Sequence, residues 1–201
     1  MKIVIITGSG GLVGAEAVKF FSKKFSKVIG IDNDMRSYFF GKSASVKKNI
    51  ADLKKKFKNY YHYNLDIRNY KKIKFIFKKY NKKISFIIHS AAQPSHDWAA
   101  SDPLVDFSIN ATGTLNMLEN IRLYCPKAKL AHLSTNKVYG DRPNKLALQE
   151  KKKRYELNKN NIFYRKGINE TMSIDDCKHS LFGASKLSGD IYCQEYLKYF
   201  N

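Results

Sequence analysis

The chain is short of cysteine, of acidic side chains and of long apolar runs, and each shortage removes a class of protein. Its three cysteines, Cys125, Cys177 and Cys193, are odd in number and widely separated. No Cys-x-x-Cys pair occurs, so neither a disulfide framework nor a zinc site is implied. The five histidines (His62, His89, His96, His132, His179) show no ligand spacing, and no metal is expected. His89 and His132 each close an apolar run and read as packed strand ends. No stretch reaches the ~18 apolar residues of a membrane helix. The opening "MKIVIITGSGG" carries a short apolar run, but Gly8, Gly10 and Gly11 follow at once and no small-residue cleavage site is evident. It reads as a buried strand rather than a signal peptide. The expectation is a cytoplasmic protein with no membrane partner.

Acidic residues number 17 against 37 Lys and Arg, for a net charge of +20. A surplus of that size raises nucleic acid as a partner. The basic runs at 54–58, 71–74 and 151–154 are scattered, however, and most of the lysines alternate with apolar residues as on the solvated face of a helix. No DNA- or RNA-binding motif accompanies them. A Lys-, Asn- and Tyr-rich compositional bias accounts for the charge, and no nucleic-acid partner is expected. The positive field still favours anionic ligands.

What the chain does have is alternation. "KIVIIT" (2–7) is a continuous apolar run, as a strand buried on both faces requires. A helix from Leu12 to about Phe25 follows, then strand "KVIGID" (27–32), an amphipathic helix at 44–57 and a tyrosine-rich strand at 59–64. Ile73, Phe77 and Tyr80 mark the next helix, ahead of strand "ISFIIHS" (84–90). Phe107, Ala111, Leu115 and Leu118 recur at helical spacing within 103–124, and "AKLAHLST" (128–135) is a fifth strand. Strands alternating with helices predict an α/β fold, a Rossmann-type doubly wound parallel sheet of order 3-2-1-4-5. Its ligand crevice lies between strands 1 and 4, where the order reverses. One domain, 1–201, is expected. It includes a long polar excursion at about 141–178 and a last helix from His179 to Phe200.

The turn after strand 1 reads Thr7-Gly8-Ser9-Gly10-Gly11-Leu12-Val13-Gly14. Gly8 suits a tight turn, Gly11 a close backbone approach to a pyrophosphate, and Gly14 close helix–sheet packing. Gly8, Gly10, Gly11, Leu12, Val13 and Gly14 are the candidate phosphate cradle, since free N–H groups at a helix start attract anions. Asp32, followed by Asn33, ends strand 2 at the spacing where a carboxylate accepts hydrogen bonds from adenosine ribose hydroxyls. A 2′-phosphate would meet like charge there, so NAD is the expected cofactor, with Arg36 close by. Asp66-Ile67 follows strand 3. The carboxylate there reads equally as a partner for the adenine amine or as an N-cap for a helix starting near Asn69.

The stretches "TGSGGLVG", "IDND", "LDIRN", "HSAAQ", "INATGTLNMLE", "STNKVYGD" and "FGASK" together resemble the extended short-chain dehydrogenase/reductase family, the NAD-dependent sugar-nucleotide epimerases and dehydratases. The resemblance implies that Ala91, Ala92 and Gln93 line the dinucleotide and that Asn110 ties the long helix to strand 4. It makes Thr135 the hydroxyl that contacts the reacting sugar. Asn136 and Lys137 stand where the dehydratases carry an acid and a base, which argues against elimination and resembles the CDP-sugar 2-epimerases. Lys186 keeps the ribose contact. The family's Tyr-x-x-x-Lys pair reads Phe182-Gly183-Ala184-Ser185-Lys186, and phenylalanine has no oxygen to accept a proton. Lys137, Lys186, Tyr139 and His96 are the replacement bases by position. The family's C-terminal domain, which holds the nucleotide-sugar, is expected to be absent. The implied function is the NAD-binding portion of a nucleotide-sugar epimerase-like isomerase of surface polysaccharide biosynthesis. A CDP-sugar is its partner, and a homodimer pairs the helices near 103–124 and 179–200. The alternative is a non-catalytic NAD-binding or interaction module.

Overall fold

In the computed structural model, which describes residues 2–200, five strands lie parallel between two layers of helices. The elements are β1 (Ile3–Thr7), α1 (Leu12–Phe21), β2 (Lys27–Ile31), α2 (Met35–Phe40), α3 (Lys47–Lys56), β3 (Tyr60–Tyr63), α4 (Tyr70–Tyr80) and β4 (Ile84–His89). After these come α5 (His96–Ser101), α6 (Pro103–Phe107), α7 (Gly113–Tyr124), β5 (Lys129–His132), the hairpin strands β6 (Leu148–Glu150) and β7 (Tyr155–Leu157), and α8 (Ser180–Phe200). The sheet order is β3-β2-β1-β4-β5, as the alternation predicts. Ile5 of β1 pairs with Ile29 of β2 on one side and Ile87 of β4 on the other.

Alternation along β1 divides the core. Ile3 and Ile5 face one layer, packing with Ile73, Phe77, Met117 and Ile121 of α4 and α7. Val4 and Ile6 face the other, with Ala15 and Val18 of α1 and Leu53 of α3. All four β1 side chains are fully buried, which is why the strand reads as an unbroken apolar run. β1 is the central strand, covered on both faces and both edges. The connections leave it in opposite directions along the sheet, so its C-terminal end is the natural place for a ligand crevice.

Several elements depart from the periodicity. The helix expected over 103–124 is two helical pieces joined by a π-helical turn at Ser108–Thr112. Apolar spacing does not report a hydrogen-bond shift of one residue. α2 and α5 were not legible, because six-residue helices carry too few turns to show a period. The excursion at 141–178 holds the β6–β7 hairpin, paired antiparallel, with Lys151–Arg154 as its turn. Among the described residues no helix is long and apolar enough to cross a membrane.

His89 and His132 end β4 and β5 side by side, their rings stacked at 5.4 Å. His89 bonds Thr7 Oγ1 through Nδ1 (2.7 Å) and Thr114 Oγ1 through Nε2 (3.0 Å), whereas neither ring nitrogen of His132 has a partner. Burial, then its histidine neighbour and Lys186, hold His89 well below the ordinary value of 6.5. Burial and Lys186, opposed by Asp190, push His132 down to about 4. Both rings are thus neutral when folded and gain protons on unfolding. The stability this represents is complete above pH ~6.5 and is lost as pH falls toward about 4. For His132 it amounts to at most roughly 3 kcal/mol. The thermal midpoint should fall between pH 7 and pH 5, and His132→Phe should flatten that fall. An unchanged slope in the variant would refute the assignment.

Candidate functional site

The crevice opens at the C-terminal ends of β1, β2 and β4. Gly8 turns the chain with φ +65°, and a Cβ there would lie 2.8 Å from the Ala91 backbone nitrogen. At Gly14 a Cβ would lie 2.0 Å from the Gly8 carbonyl oxygen, so any side chain would push α1 off the turn. Gly11 is the N-cap of α1 and brings no side chain to its first amides. Leu12 and Val13 are exposed at the crevice mouth. The result is an uncapped helix start over a side-chain-free turn, a cradle of the shape and polarity a pyrophosphate needs. Gly10 is placed differently. A Cβ there would strike Val46 and Ile50, so this glycine serves the packing of α3 and does not line the crevice.

Asp32 lies just past β2 on the crevice wall. Its Oδ2 accepts the Gly10 N–H and its Oδ1 the Asp34 N–H, both at 2.9 Å. These bonds lock the carboxylate's orientation and leave each oxygen a lone pair for a ligand hydroxyl. Asn33 donates from Nδ2 to Asp66 Oδ2 at 3.0 Å, tying the end of β2 to the segment after β3. Asp66 is half-buried beside Arg68, whose Nη2 lies 2.6 Å away. Burial alone would raise its pKa, but hydrogen bonds and charge from Arg68, with Asn33, hold it below the ordinary carboxylate value. Asp66 and Ile67 both line the crevice. The N-cap of α4 is Asn69, whose Oδ1 accepts the Lys72 N–H at 3.1 Å. The capping alternative for Asp66 is therefore wrong: an asparagine three residues closer to the helix does that work.

Ala91 and Ala92 line the crevice from the β4 side, with Ser90 and Pro94. Gln93 does not; it is buried behind them. Its backbone N–H donates to Asn110 Oδ1 (2.9 Å), and its carbonyl accepts from Asn110 Nδ2 (3.1 Å). Asn110 Nδ2 also faces Asp106 Oδ1 at 3.0 Å and Ser185 Oγ at 3.1 Å. One side chain in the π-helical turn thereby joins the loop after β4 to α6 and α8. Asn110 holds the wall of the crevice without forming it.

Thr135, Asn136 and Lys137 follow β5. Thr135 Oγ1 accepts the Lys137 N–H at 3.3 Å, starting a 3₁₀ turn at Asn136–Tyr139 that packs on α8. The Lys137 carbonyl lies against Gly183, where a Cβ would come within 3.0 Å. Phe182 and Lys186 sit one turn apart on α8, both buried. Lys186 Nζ donates to the Leu133 carbonyl at 2.7 Å, and Leu133 lines the crevice. Burial lowers the Lys186 pKa, against the pull of Asp190, Cys193 and Asp106. Phe182 packs on His96 with ring centroids 4.8 Å apart. Thr135, Asn136, Lys137 and Lys186 therefore gather beside the crevice's inner end rather than along its floor. The far wall was missed by sequence reasoning: Met35, Phe39 and Phe40 of α2 and Val46 line it, with Arg36 over the Phe40 ring at 5.2 Å. The aromatic run 38–40, shortly after Asp32, was the available signal.

An open parallel sheet of this order, with a glycine turn at the reversal point and a carboxylate after β2, defines a Rossmann-type protein. Within that class the chain belongs to the family described as GDP-mannose 4,6 dehydratase, whose model matches residues 5–159, and so to the extended short-chain dehydrogenases/reductases. It is 32% identical over 200 residues to the CDP-paratose 2-epimerase of Salmonella typhi, covering 100% of this chain and 54% of that protein. To the UDP-glucuronate 4-epimerase of Thermodesulfobacterium geofontis it is 33% identical over 139 residues, 69% of this chain and 41% of that one. The fold matches the UDP-Glc/GlcNAc 4-epimerase of Campylobacter jejuni with a TM-score of 0.73 at 20% identity, covering 98% of this chain and 50% of the other. It also matches the UDP-glucose 4-epimerase of Thermus thermophilus in complex with NAD, with a TM-score of 0.69 at 23% identity, covering 98% and 51%. The chain spans about half, or less, of the length of these relatives.

The Asn110 network predicts that Asn110→Ala costs about 2–3 kcal/mol in urea denaturation, because it strands a buried Gln93 amide and carbonyl. A loss below about 0.5 kcal/mol would show that the network is dispensable.

Proposed function

We propose that the chain is the NAD-binding portion of a nucleotide-sugar epimerase-like protein. The observation that carries the reading is the Asp32 carboxylate, fixed by two backbone N–H groups on the wall of the same crevice as the glycine cradle. The residues fit the dinucleotide. The cradle excludes any Cβ at Gly8 and Gly14, and the start of α1 carries no side-chain cap. Gly8, Gly11, Leu12, Val13 and Gly14 would hold its pyrophosphate, Asp32 its adenosine ribose, and Asp66 with Ile67 its adenine. Ala91 and Ala92 would line it and Lys186 would reach its second ribose. Bound NAD would supply a hydride acceptor.

For the sugar, Thr135 is the proposed hydroxyl contact. Asn136 and Lys137 carry no acid–base carboxyl pair, which supports reversible oxidation of a sugar carbon over elimination. The alignment with the CDP-paratose 2-epimerase along the whole chain supports a CDP-sugar as substrate. A homodimer through α7 and α8 is part of the proposal. Leu123 on α7 and Ile191, Tyr192 and Leu197 on α8 are exposed and suited to such a contact. A second reading, a non-catalytic NAD-binding module, is favoured by Phe182, which leaves the usual tyrosine position without an oxygen.

Isothermal titration should show NAD binding more tightly than NADP. Asp32→Gly should weaken NAD by roughly 1–3 kcal/mol, the scale of charge-assisted hydrogen bonds. Tighter binding of NADP would overturn the cofactor assignment. Light scattering at micromolar concentration should give twice the chain mass, and a monomer would remove the dimer from the proposal.

A further inference from the structure

The loss of the tyrosine oxygen at position 182 leaves the proposed reaction without its usual proton acceptor. Four side chains compete by position, and the structure separates them. Lys186 Nζ is already engaged with the Leu133 carbonyl and is buried. Lys137 is held near the site only through its backbone, and its side chain is exposed to solvent. Tyr139 has its hydroxyl pKa raised, by burial and by the charges of Glu170 and Asp190, away from the range where a phenol gives up its proton. His96 is the fourth.

His96 opens α5, two residues beyond Pro94 on the crevice wall. Its ring lies against Phe182 at 4.8 Å with an interplanar angle of 52°. Its Nδ1 is within 3.3 Å of Ser180 Oγ, and Ser180 Oγ also accepts the Gly183 N–H at 3.2 Å. Ser180 sits in the left-handed region, φ +62°, which presents its hydroxyl to both partners. The Phe182 ring on one side and a hydroxyl at Nδ1 fix the imidazole in place. They leave Nε2 as the nitrogen without a protein partner among the described residues, on a residue open to an arriving ligand. Behind it, the loop 93–95 is anchored by Asn110 and by the Gln93–Ser95 bonds. The imidazole therefore lies beside the Phe182 ring, and Phe182 is itself one helical turn from Lys186 on α8.

We propose that His96 is the general base in this protein, with Phe182 as its packing support and Ser180 orienting Nδ1. This rests on the NAD-dependent epimerase reading above. The free imidazole nitrogen accepts the proton of the reacting sugar hydroxyl. The O–H electron pair becomes the second C–O bond, and oxidised NAD, when bound, would supply the acceptor for the hydride that leaves carbon. The imidazolium returns the same proton when the hydride comes back to carbon.

The test uses the protein with NAD and with CDP-glucose or UDP-glucose as probes. The His96 imidazole nitrogens are followed by long-range ¹H–¹⁵N correlation, assigned with His96→Asn. The expected result is that the His96 Nε2 resonance moves when a nucleotide-sugar is added to the NAD complex, while NAD affinity in His96→Asn stays within about twofold of the parent. In turnover, His96→Asn should lower kcat by about 10²–10⁴-fold with KM little changed, and adding Phe182→Tyr to that variant should restore part of the rate. A His96 resonance that ignores a bound nucleotide-sugar, seen to bind through other resonances, overturns the inference and leaves the NAD reading intact. So does full turnover in His96→Asn. Absence of NAD binding in the parent overturns both.

Discussion

The structure depends on one close approach, that of Gly14 to the Gly8 carbonyl. Those two positions bring the start of α1 onto the end of β1 with no side chain between them. Because the turn is this tight, the Gly10 N–H reaches Asp32 and the Gly8 N–H reaches the Ile31 carbonyl at 2.8 Å. The end of β2 is thereby fastened to the turn after β1. The crevice floor and its carboxylate wall are thus a single hydrogen-bonded unit, not two features that happen to be adjacent. A methyl group at either glycine would separate them.

A second fastening is made on the other side of the crevice. Asn110 holds the Gln93 backbone by its nitrogen and its carbonyl, and through Ser185 it reaches α8. Ser185 in turn donates to the Phe182 carbonyl at 3.0 Å. The loop that leads into His96 and the helix that carries Phe182 and Lys186 are therefore set by the same asparagine. This explains why a polar residue is enclosed in a helical segment that otherwise buries apolar ones. An enclosed amide with all its groups paired stabilises one arrangement of three elements, whereas an apolar substitute would leave backbone groups unpaired.

Much of this was legible beforehand. The strand order followed from alternation, the glycine turn from its spacing, and Asp32 from its place after β2. Other features were not. Gly10, equal to its neighbours as a letter, faces α3 instead of the crevice. Gln93, adjacent to two lining alanines, is turned inward. Asp66 lost the capping role to Asn69 because only the residue immediately before the first turn presents its side chain to the free N–H groups. The α2 wall escaped notice because a six-residue helix shows no period, although its three consecutive aromatics were in plain view.

By itself the sequence determined the fold class, since apolar periodicity and glycine placement act through local backbone sterics and the burial of one face at a time. It also determined that position 182 carries a phenylalanine with no side-chain oxygen, a matter of atoms present or absent. Only the tertiary structure decided what stands next to that ring. His96 and Phe182 are 86 residues apart in the chain, and no local rule relates them. They meet because α5 and α8 pack together over the loop that Asn110 anchors. The contact is fixed by long-range packing and a buried hydrogen-bond network, and both exist only once the sheet has placed the ends of β4 and β5 side by side.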